Sequence, residues 1–204
     1  MAKKLSLVIK RIFDVIAALG GLIIFSPLFI VVTILIKINL GSPIFFKQKR
    51  IGKNNKEFEI IKFRTMKNTC NKDGKRLEDE HRMTNLGRKL RTLSIDELPE
   101  LINILKGDMS LIGPRPLFPQ YLPLYNENQI RRHEVMPGLT GLAQVNGRNN
   151  LSWHEKFEFD VYYVDNWSIK LDVKIFFITF YKIFKREGIS AKGKETAEYF
   201  NGDN

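Results

Sequence analysis

The amino-acid sequence predicts an α+β protein in which an apolar amino-terminal helix precedes a small domain of helices and short strands. No charged residue occurs in residues 15–36, and about 20 apolar residues suffice for a helix to cross a bilayer. Residues 43–51 and 58–66 flank the turn sequence GKNNK and predict a strand–turn–strand unit. The spacing of apolar residues from 98 to 105 predicts a helix with one buried face.

The overall charge of the chain predicts an anionic partner. The 204 residues include 33 Lys+Arg against 22 Asp+Glu, a formal net charge of +11. Nucleic acid, a phosphorylated small molecule and an anionic membrane surface would each suit this excess. The 15 phenylalanines point toward lipid contact. Cys70 is the single cysteine, so the chain cannot form an intrachain disulfide.

The apolar run is interrupted near its middle by Ser26 and Pro27. Pro27 cannot donate a hydrogen bond to the carbonyl of Ile23, which predicts a kink, and Ser26 can bond back to the carbonyl of Leu22. Lys37 follows the run where a secretory signal would have a cleavage site. Basic residues flank both ends, which favours both flanks on the cytoplasmic side. From the residues alone, a spanning helix and a re-entrant helix remain about equally open.

The second predicted strand carries two cations that face the same way. Phe58, Ile60, Lys62 and Arg64 share one face of an extended strand. Lys62 and Arg64 would then stand roughly 7 Å apart, close enough to bind one diphosphate. The alternative is a pair of solvated charges on an edge strand.

Two adjacent carboxylates, Asp96 and Glu97, stand where the predicted helix of residues 98–105 begins. Pro99 is tolerated in a first helical turn, so we expect the helix to start near Asp96, with Ser94 or Asp96 as its cap. The stripe consists of Leu98, Leu101, Ile102 and Leu105, and Gly107 ends the helix. Residues 94–97 also fit a capping box, so these acids could serve only as caps.

Arg115 lies between two prolines, shortly after this helix. Pro114 and Pro116 leave the backbone around Arg115 little freedom. An arginine held stiffly close to a carboxylate pair is a plausible site for a phosphate and a divalent metal.

The remaining segments carry weaker signals. Residues 67–92 are polar and predict an exposed excursion with a short helix; their acids and His81 lack any metal-ligand spacing. Residues 136–148 form a glycine-rich segment whose backbone amides could approach an anion, or an ordinary surface loop. Residues 151–187 predict two helices, with Asp172 as a helix-start residue. The second helix could be a core helix or an aromatic helix in the membrane interface.

Residues 91–116 resemble the signature of the bacterial sugar transferases, the monotopic phosphoglycosyl transferases: R-T-x-x-D-E-L-P-Q-L-x-N-x-L-x-G-D-M-S-x-x-G-P-R-P. Glu100 departs from it, since glutamine is common at that position. Residues 62–66, 136–148 and 160–172 are similar to further family elements, namely K-F-R-[ST]-M, P-G-[IL]-T-G-x-x-Q-V-x-G-R and D-x-x-Y-[VI]-x-x-x-S-x-x-L-D. The resemblance extends from Arg11 to about Gly188.

This resemblance implies an enzyme that moves a phospho-sugar from a UDP-sugar to polyprenol (undecaprenyl) phosphate. The products would be polyprenyl diphosphate sugar and UMP, the first step of a bacterial surface glycan or glycoprotein glycan. Asp96 would be the nucleophile and would form an aspartyl-phosphosugar with Mg2+ bound at Asp96. Glu97 would be a general base toward the lipid phosphate or would help to hold the metal. The implied phosphate, nucleotide and other site residues are Lys62, Arg64, Arg91, Arg115, Arg148 and Asp160.

The resemblance also favours a re-entrant membrane helix broken at Ser26 and Pro27. Residues 1–40 would then be embedded in the bacterial inner membrane, and residues 41–204 would form a cytoplasmic catalytic domain with interfacial amphipathic helices. Without further amino-terminal membrane helices, the chain resembles the minimal PglC type, and a homodimer is compatible with it. A non-catalytic membrane-bound adaptor is the alternative. The apolar run and the lack of any known binding module argue against nucleic acid as a partner.

Overall fold

The predicted mixture of helices and short strands is confirmed by the computed structural model, which describes residues 2–69, 71, 74–75, 77–147, 150–185, 199–202 and 204. Eight α-helices and four strands lie within these residues. The helices are α1 (Ala2–Ile24), α2 (Ser26–Leu40), α3 (Asp79–Arg82), α4 (Asn85–Thr92), α5 (Glu100–Lys106), α6 (Leu142–Asn146), α7 (Trp153–Asn166) and α8 (Ile169–Lys185). The strands are β1 (Phe45–Ile51), β2 (Glu57–Phe63), β3 (Ser110–Ile112) and β4 (Gly138–Thr140).

The amino-terminal helix is broken at Phe25, as the Ser26–Pro27 pair predicts. Pro27 lies in the first turn of α2, where its missing N–H costs no hydrogen bond. The Ser26 Oγ donates to the carbonyl of Ile23 at 2.8 Å. The expected bond to Leu22 is therefore wrong: the hydroxyl satisfies the carbonyl that Pro27 leaves without a donor.

Helices α1 and α2 are bent by 61° at this break. Among the described residues, neither helix alone has the length and apolarity to cross a membrane, whereas Leu5–Ile24 and Ser26–Leu40 together do, by length and composition. Large apolar side chains along both helices are exposed, among them Ile24 at 73% and Ile30 at 63%. This bent pair is compatible with a re-entrant element.

The predicted strand–turn–strand unit is confirmed. β1 and β2 pair antiparallel, from Phe45 opposite Phe63 to Ile51 opposite Glu57. Gly52 closes the turn by donating its N–H to the carbonyl of Lys56 at 2.8 Å. The hairpin therefore holds Lys62 near the end of β2, which positions it for the site described below.

Helix α5 is tied to β2 by one buried side chain, Asn103. Its Oδ1 accepts from the N–H of Ile61 at 3.0 Å, and its Nδ2 donates to the carbonyl of Glu59 at 2.7 Å. Asn103 thus binds β2 as a neighbouring strand would. The buried face of α5 consists of Glu100, Leu101, Asn103 and Ile104. This buried face differs from the predicted apolar stripe of residues 98–105, because the polar side chains of Glu100 and Asn103 occupy part of it.

A second pair of strands was not predicted. β3 and β4 pair in parallel, and both are only three residues long. A Cβ added at Gly138 would lie 2.1 Å from the backbone nitrogen of Gly113, and one at Gly141 would lie 2.1 Å from the Gly113 oxygen. These glycines permit close contact between two backbones, which gives them a packing role. Anion binding by this segment stays a prediction.

Residues 67–92 contain two helices, α3 and α4, where one short helix was expected. The hydroxyl of Thr84 caps α4 by accepting from the N–H of Gly87 at 2.9 Å. Gly87 in turn contacts the backbone of Thr65, just beyond β2. Helix α4 therefore packs against the chain that leaves β2.

Helices α7 and α8 confirm the two helices predicted for residues 151–187. Asp172 lies in the first turn of α8 and accepts from Lys10 Nζ at 2.7 Å and Tyr163 Oη at 2.6 Å. Ile175 is fully buried against the core, while Phe177 is 67% exposed. Helix α8 therefore combines a core face with an exposed aromatic face, and its predicted continuation to Arg186 lies outside the described residues.

Gly87→Ala should destabilise the protein and lower activity. The new Cβ would lie 1.9 Å from the Thr65 carbonyl oxygen, and overpacking of this kind costs about 1–3 kcal/mol. Thermal unfolding in detergent measures the loss. Gly20→Ala is the control, because nothing lies within 4 Å of its added Cβ. Equal melting temperatures for the two variants would contradict this view of the contact.

Candidate active site

Asp96 and Glu97 lie in a short 3₁₀ turn, Ile95–Glu97, that leads into α5. Ser94 adopts a left-handed conformation with φ of 54° before this turn. Its side chain forms no cap hydrogen bond, and Glu97 N–H bonds to the Ser94 backbone carbonyl at 3.3 Å. The capping-box alternative and the expectation that Ser94 or Asp96 caps the helix are both wrong. The two carboxylates are consequently available for other contacts.

Glu97 accepts hydrogen bonds from two cations that come from different elements. Lys62 Nζ on β2 and Arg115 Nη2 after β3 each lie 2.7 Å from Glu97 Oε1. Burial alone would raise the pKa of Glu97, but the charges and hydrogen bonds of Arg115 and Lys62 outweigh it and hold that pKa well below its usual range. Glu97 is therefore ionised at neutral pH and holds both cations in place.

Asp96 has a different environment, although it is the adjacent residue. It is 8% exposed. Burial raises its pKa, and the charge of Glu97 raises it further, against the opposing charges of Lys62, Arg91 and Arg115. Within the described part of the chain, no group donates a hydrogen bond to the Asp96 carboxylate. Its oxygen lone pairs are thus available to a substrate or a cation.

Glu100 contributes a third carboxylate, which sequence reasoning noted only as a departure from the family signature. It is 2% exposed, and its Oε1 lies 3.0 Å from Lys62 Nζ. Among the described residues, no donor is aligned for a hydrogen bond to this buried oxygen, so its contact with Lys62 is an ion pair. Burial raises the pKa of Glu100, and the charge of Lys62 offsets only part of that rise. The resulting pKa is about 7.

Arg91 and Arg64, both predicted to contact phosphate, occupy different places. Arg91 lies in the last turn of α4 and donates from Nε to the Thr65 hydroxyl at 3.1 Å. Its charge acts on Asp96. Arg64 is 5% exposed and donates to the backbone carbonyls of Leu40, Gly41 and Ser42 at the end of α2. Arg64 therefore satisfies helix-end carbonyls, while Lys62 contacts Glu97. Their joint contact with a diphosphate stays a prediction.

Asp160 lies behind the site in a buried ion pair. Its Oδ2 accepts from Arg132 Nε at 3.0 Å and from Arg132 Nη2 at 2.7 Å. Arg132 Nη2 also donates to the backbone carbonyl of Arg115 at 2.7 Å. Asp160 is thus placed to support the Arg115 segment rather than to contact substrate directly. Arg132 gave no signal in the sequence, because its partner is 28 residues away.

Ser26 and Pro27 lie apart from this group, in the break between α1 and α2 where they were predicted. Arg148 lies outside the described residues. The structure brings together five of the predicted residues. The charges of Lys62, Arg91, Glu97 and Arg115 all act on Asp96, and Glu97 accepts hydrogen bonds from Lys62 and Arg115.

Comparison with known proteins identifies the family. A family model described as "Bacterial sugar transferase" matches residues 5–186. The chain belongs to the bacterial sugar transferase family. It is 52% identical over 196 residues to the "Uncharacterized sugar transferase EpsL" of Bacillus subtilis, covering 96% of this chain and 97% of that protein. As a member of this family, the chain is an enzyme of sugar transfer.

Two longer relatives have names that state their reactions. The "UDP-N-acetylgalactosamine-undecaprenyl-phosphate N-acetylgalactosaminephosphotransferase" of Aeromonas hydrophila is 41% identical over 183 residues, 84% of this chain and 42% of that protein. The "Undecaprenyl-phosphate glucose phosphotransferase" of Komagataeibacter xylinus is 41% identical over 192 residues, 87% of this chain and 36% of that protein. This sugar transferase chain therefore spans less than half the length of each.

Asp160→Asn should destabilise the protein strongly, because it leaves the buried Arg132 cation without its counter-charge. Breaking such a pair costs about 3–5 kcal/mol. Chemical unfolding measures the change. Asp165→Asn is a matched control, since Asp165 pairs with Arg131 at the surface of the same helix, and little change is expected there. Equal effects of the two substitutions would contradict a supporting role for Asp160.

Proposed function

We propose that this chain transfers a sugar 1-phosphate from a UDP-sugar to a polyprenol phosphate such as undecaprenyl phosphate, with release of UMP. The observation that carries the proposal is the buried Asp96 carboxylate, which receives no hydrogen bond from the described residues and lies beside Lys62, Arg91 and Arg115. The names of the Aeromonas and Komagataeibacter relatives support undecaprenyl phosphate as the acceptor. The product would begin assembly of a bacterial surface glycan or glycoprotein glycan.

Asp96 is the proposed nucleophile. Its carboxylate oxygen attacks the phosphorus that carries the sugar, the bond from that phosphorus to the bridging oxygen breaks, and UMP leaves with the electron pair. The lipid phosphate then attacks the aspartyl-phosphosugar and regenerates Asp96. Burial of Asp96 supports this role, because a poorly solvated carboxylate is a stronger nucleophile once it is ionised.

The neighbouring cations have the positions needed to offset the charge of the diphosphate. The Arg115 side chain is 47% exposed while it bonds to Glu97, so it can reach a bound phosphate. Arg91, in the last turn of α4, provides another positive charge that acts on Asp96. Glu97 holds Lys62 and Arg115, and these cations keep its pKa low. The general-base role expected for Glu97 therefore requires that the substrate first draws the two cations away.

Magnesium fits this site through oxygen ligands. No set of three His, Cys, Asp or Glu side chains that could hold a metal occurs in the described residues. Mg2+ commonly uses one or two carboxylates together with substrate phosphates and water, and the Asp96 oxygens are open to it. When bound, Mg2+ would supply charge neutralisation at the diphosphate.

Removal of divalent cations should abolish turnover. Without the metal, the Asp96 carboxylate and the donor diphosphate would repel each other, because Lys62 and Arg115 are already paired with Glu97. UMP release measured in excess EDTA, and again after Mg2+ is restored, checks this dependence. Full activity in EDTA would remove the metal from the proposal.

Replacement of Asp96 should eliminate the reaction. A coupled assay of UMP release, with a panel of UDP-sugars and undecaprenyl phosphate, should show activity with at least one sugar. Asp96→Asn should lower its rate by at least about 10³-fold, because an amide is a poor nucleophile. Asp79→Asn, which alters a surface pair with Arg82, should leave it unchanged. A normal rate for Asp96→Asn would exclude covalent catalysis by this residue.

The bent pair α1 and α2 supports a proposal for the membrane topology. We propose that it enters and leaves the inner membrane on the cytoplasmic face, so that Lys3 and the catalytic domain lie on one side. In a Cys70→Ser background, Lys3→Cys and Glu127→Cys should both resist an impermeant thiol reagent in intact cells and react after lysis. Labelling of one position alone in intact cells would exclude the re-entrant arrangement.

A further inference from the structure

Glu100 is a buried titratable group that the proposed chemistry leaves without a role. Its side chain is 3% exposed, yet it faces the same ammonium group that holds Glu97. Lys62 Nζ lies 2.7 Å from Glu97 Oε1 and 3.0 Å from Glu100 Oε1. One cation is therefore shared by two carboxylates, and one of those carboxylates also binds Arg115.

We propose that Glu100 is a positioning residue whose charge determines how much of the Lys62 cation remains available to an anionic donor. When Glu100 is ionised, two carboxylates neutralise Lys62. When Glu100 carries a proton, Lys62 is opposed by Glu97 alone, and the site gains one positive charge. This inference rests on the proposed function, because the anion concerned is the diphosphate of the donor.

The charged groups around Glu100 keep their charge across the neutral range. Lys62 faces it from β2, Glu97 from the 3₁₀ turn, Arg115 from the segment after β3 and Arg50 from β1. Burial lowers the pKa of Arg50, but only to about 10, and Glu97 stays ionised. Since burial brings the pKa of Glu100 to about 7, a change between pH 6 and 8 alters the charge of Glu100 and leaves these four unchanged.

The proposed role of Glu100 also accounts for the departure from the family signature at position 100. Glutamine has the shape of glutamic acid and can accept from Lys62 Nζ, but it carries no charge at any pH. A chain with glutamine there would keep the Lys62 cation permanently available. With glutamate at position 100, the charge of the site depends on pH in a range where the donor diphosphate itself does not titrate.

The test compares Glu100→Gln with the wild type through kcat/KM for the UDP-sugar, which reports free enzyme and free donor. In a ping-pong reaction this quantity is independent of the lipid phosphate, whose own ionisation lies near neutrality. The ratio of Glu100→Gln to wild type should be near one at about pH 6 and on the order of ten at about pH 8. Glu57→Gln is the matched control, since Glu57 pairs with Lys49 at the exposed end of β2, and its ratio should stay near one.

Thermal unfolding gives a second readout that does not depend on activity. The stability gained from neutral Glu100 is fully present below the ordinary carboxyl pKa and is lost as pH rises through about 7. The melting temperature of the wild type should therefore fall relative to Glu100→Gln between about pH 6 and 8. A merely structural residue would shift melting without making the kcat/KM ratio depend on pH.

The outcomes separate the two proposals. Absence of UMP release from the wild type overturns the proposed function and this inference with it. UMP release with a kcat/KM ratio that is constant with pH overturns the inference alone, whatever the melting data show. A ratio that rises with pH only for Glu100→Gln supports the control of Lys62 by Glu100.

Discussion

The contact of Lys62 with Glu97 and Glu100 is the interaction on which the rest of this site depends. It joins β2 to the 3₁₀ turn and α5, and Glu97 extends it to Arg115 after β3. Each carboxylate would be costly to bury alone, because desolvation of an unpaired charge is unfavourable. Shared cations make their burial possible. The same arrangement leaves Asp96 beside positive charge, without a hydrogen bond from the part of the chain that the structure describes.

Hydrogen bonds from other parts of the chain hold these charged side chains in position. Asn103 binds the backbone of β2 through both its oxygen and its nitrogen, which fixes α5 and its carboxylates relative to Lys62. On the other side, Arg132 binds the Arg115 carbonyl and is itself held by buried Asp160. The amino-terminal helix joins the same assembly, since Arg11 donates to the carbonyl of Ile104 at the end of α5 at 2.7 Å. The reactive group is therefore supported from several parts of the chain.

The sequence could predict features whose cause is local. The hairpin follows from two strand-like segments on either side of GKNNK, and the helix break follows from the missing N–H of Pro27. The two prolines around Arg115 predicted an arginine close to Asp96 and Glu97, the family resemblance added Lys62 to the site, and the structure brings the four together. Periodicity could not reveal the second sheet, because three-residue strands are too short to show a pattern and their pairing joins residues far apart in the chain.

The structure gives Arg64, Ser94 and Asp160 surroundings that local sequence does not show. Arg64 stood on the predicted face with Lys62, but the unsatisfied carbonyls at the end of α2 bind its guanidinium. Ser94 matched a capping pattern, yet its left-handed backbone removes its side chain from the helix end. Asp160 matched the family pattern, and only the fold shows that Arg132 occupies its oxygen. In each case a partner distant in sequence, or an unusual backbone angle, decided the outcome.

The central claim is that Asp96 forms a covalent bond to the phospho-sugar, and intact-protein mass spectrometry tests it most directly. Enzyme is mixed with UDP-sugar in the absence of lipid phosphate, and the protein is then digested to locate any added mass. The account predicts that the enzyme gains one phospho-sugar on the peptide that contains Asp96, with roughly one UMP released per active site. Release of UMP only when lipid phosphate is present, with no mass added to the protein, would contradict it and indicate direct transfer between the two substrates.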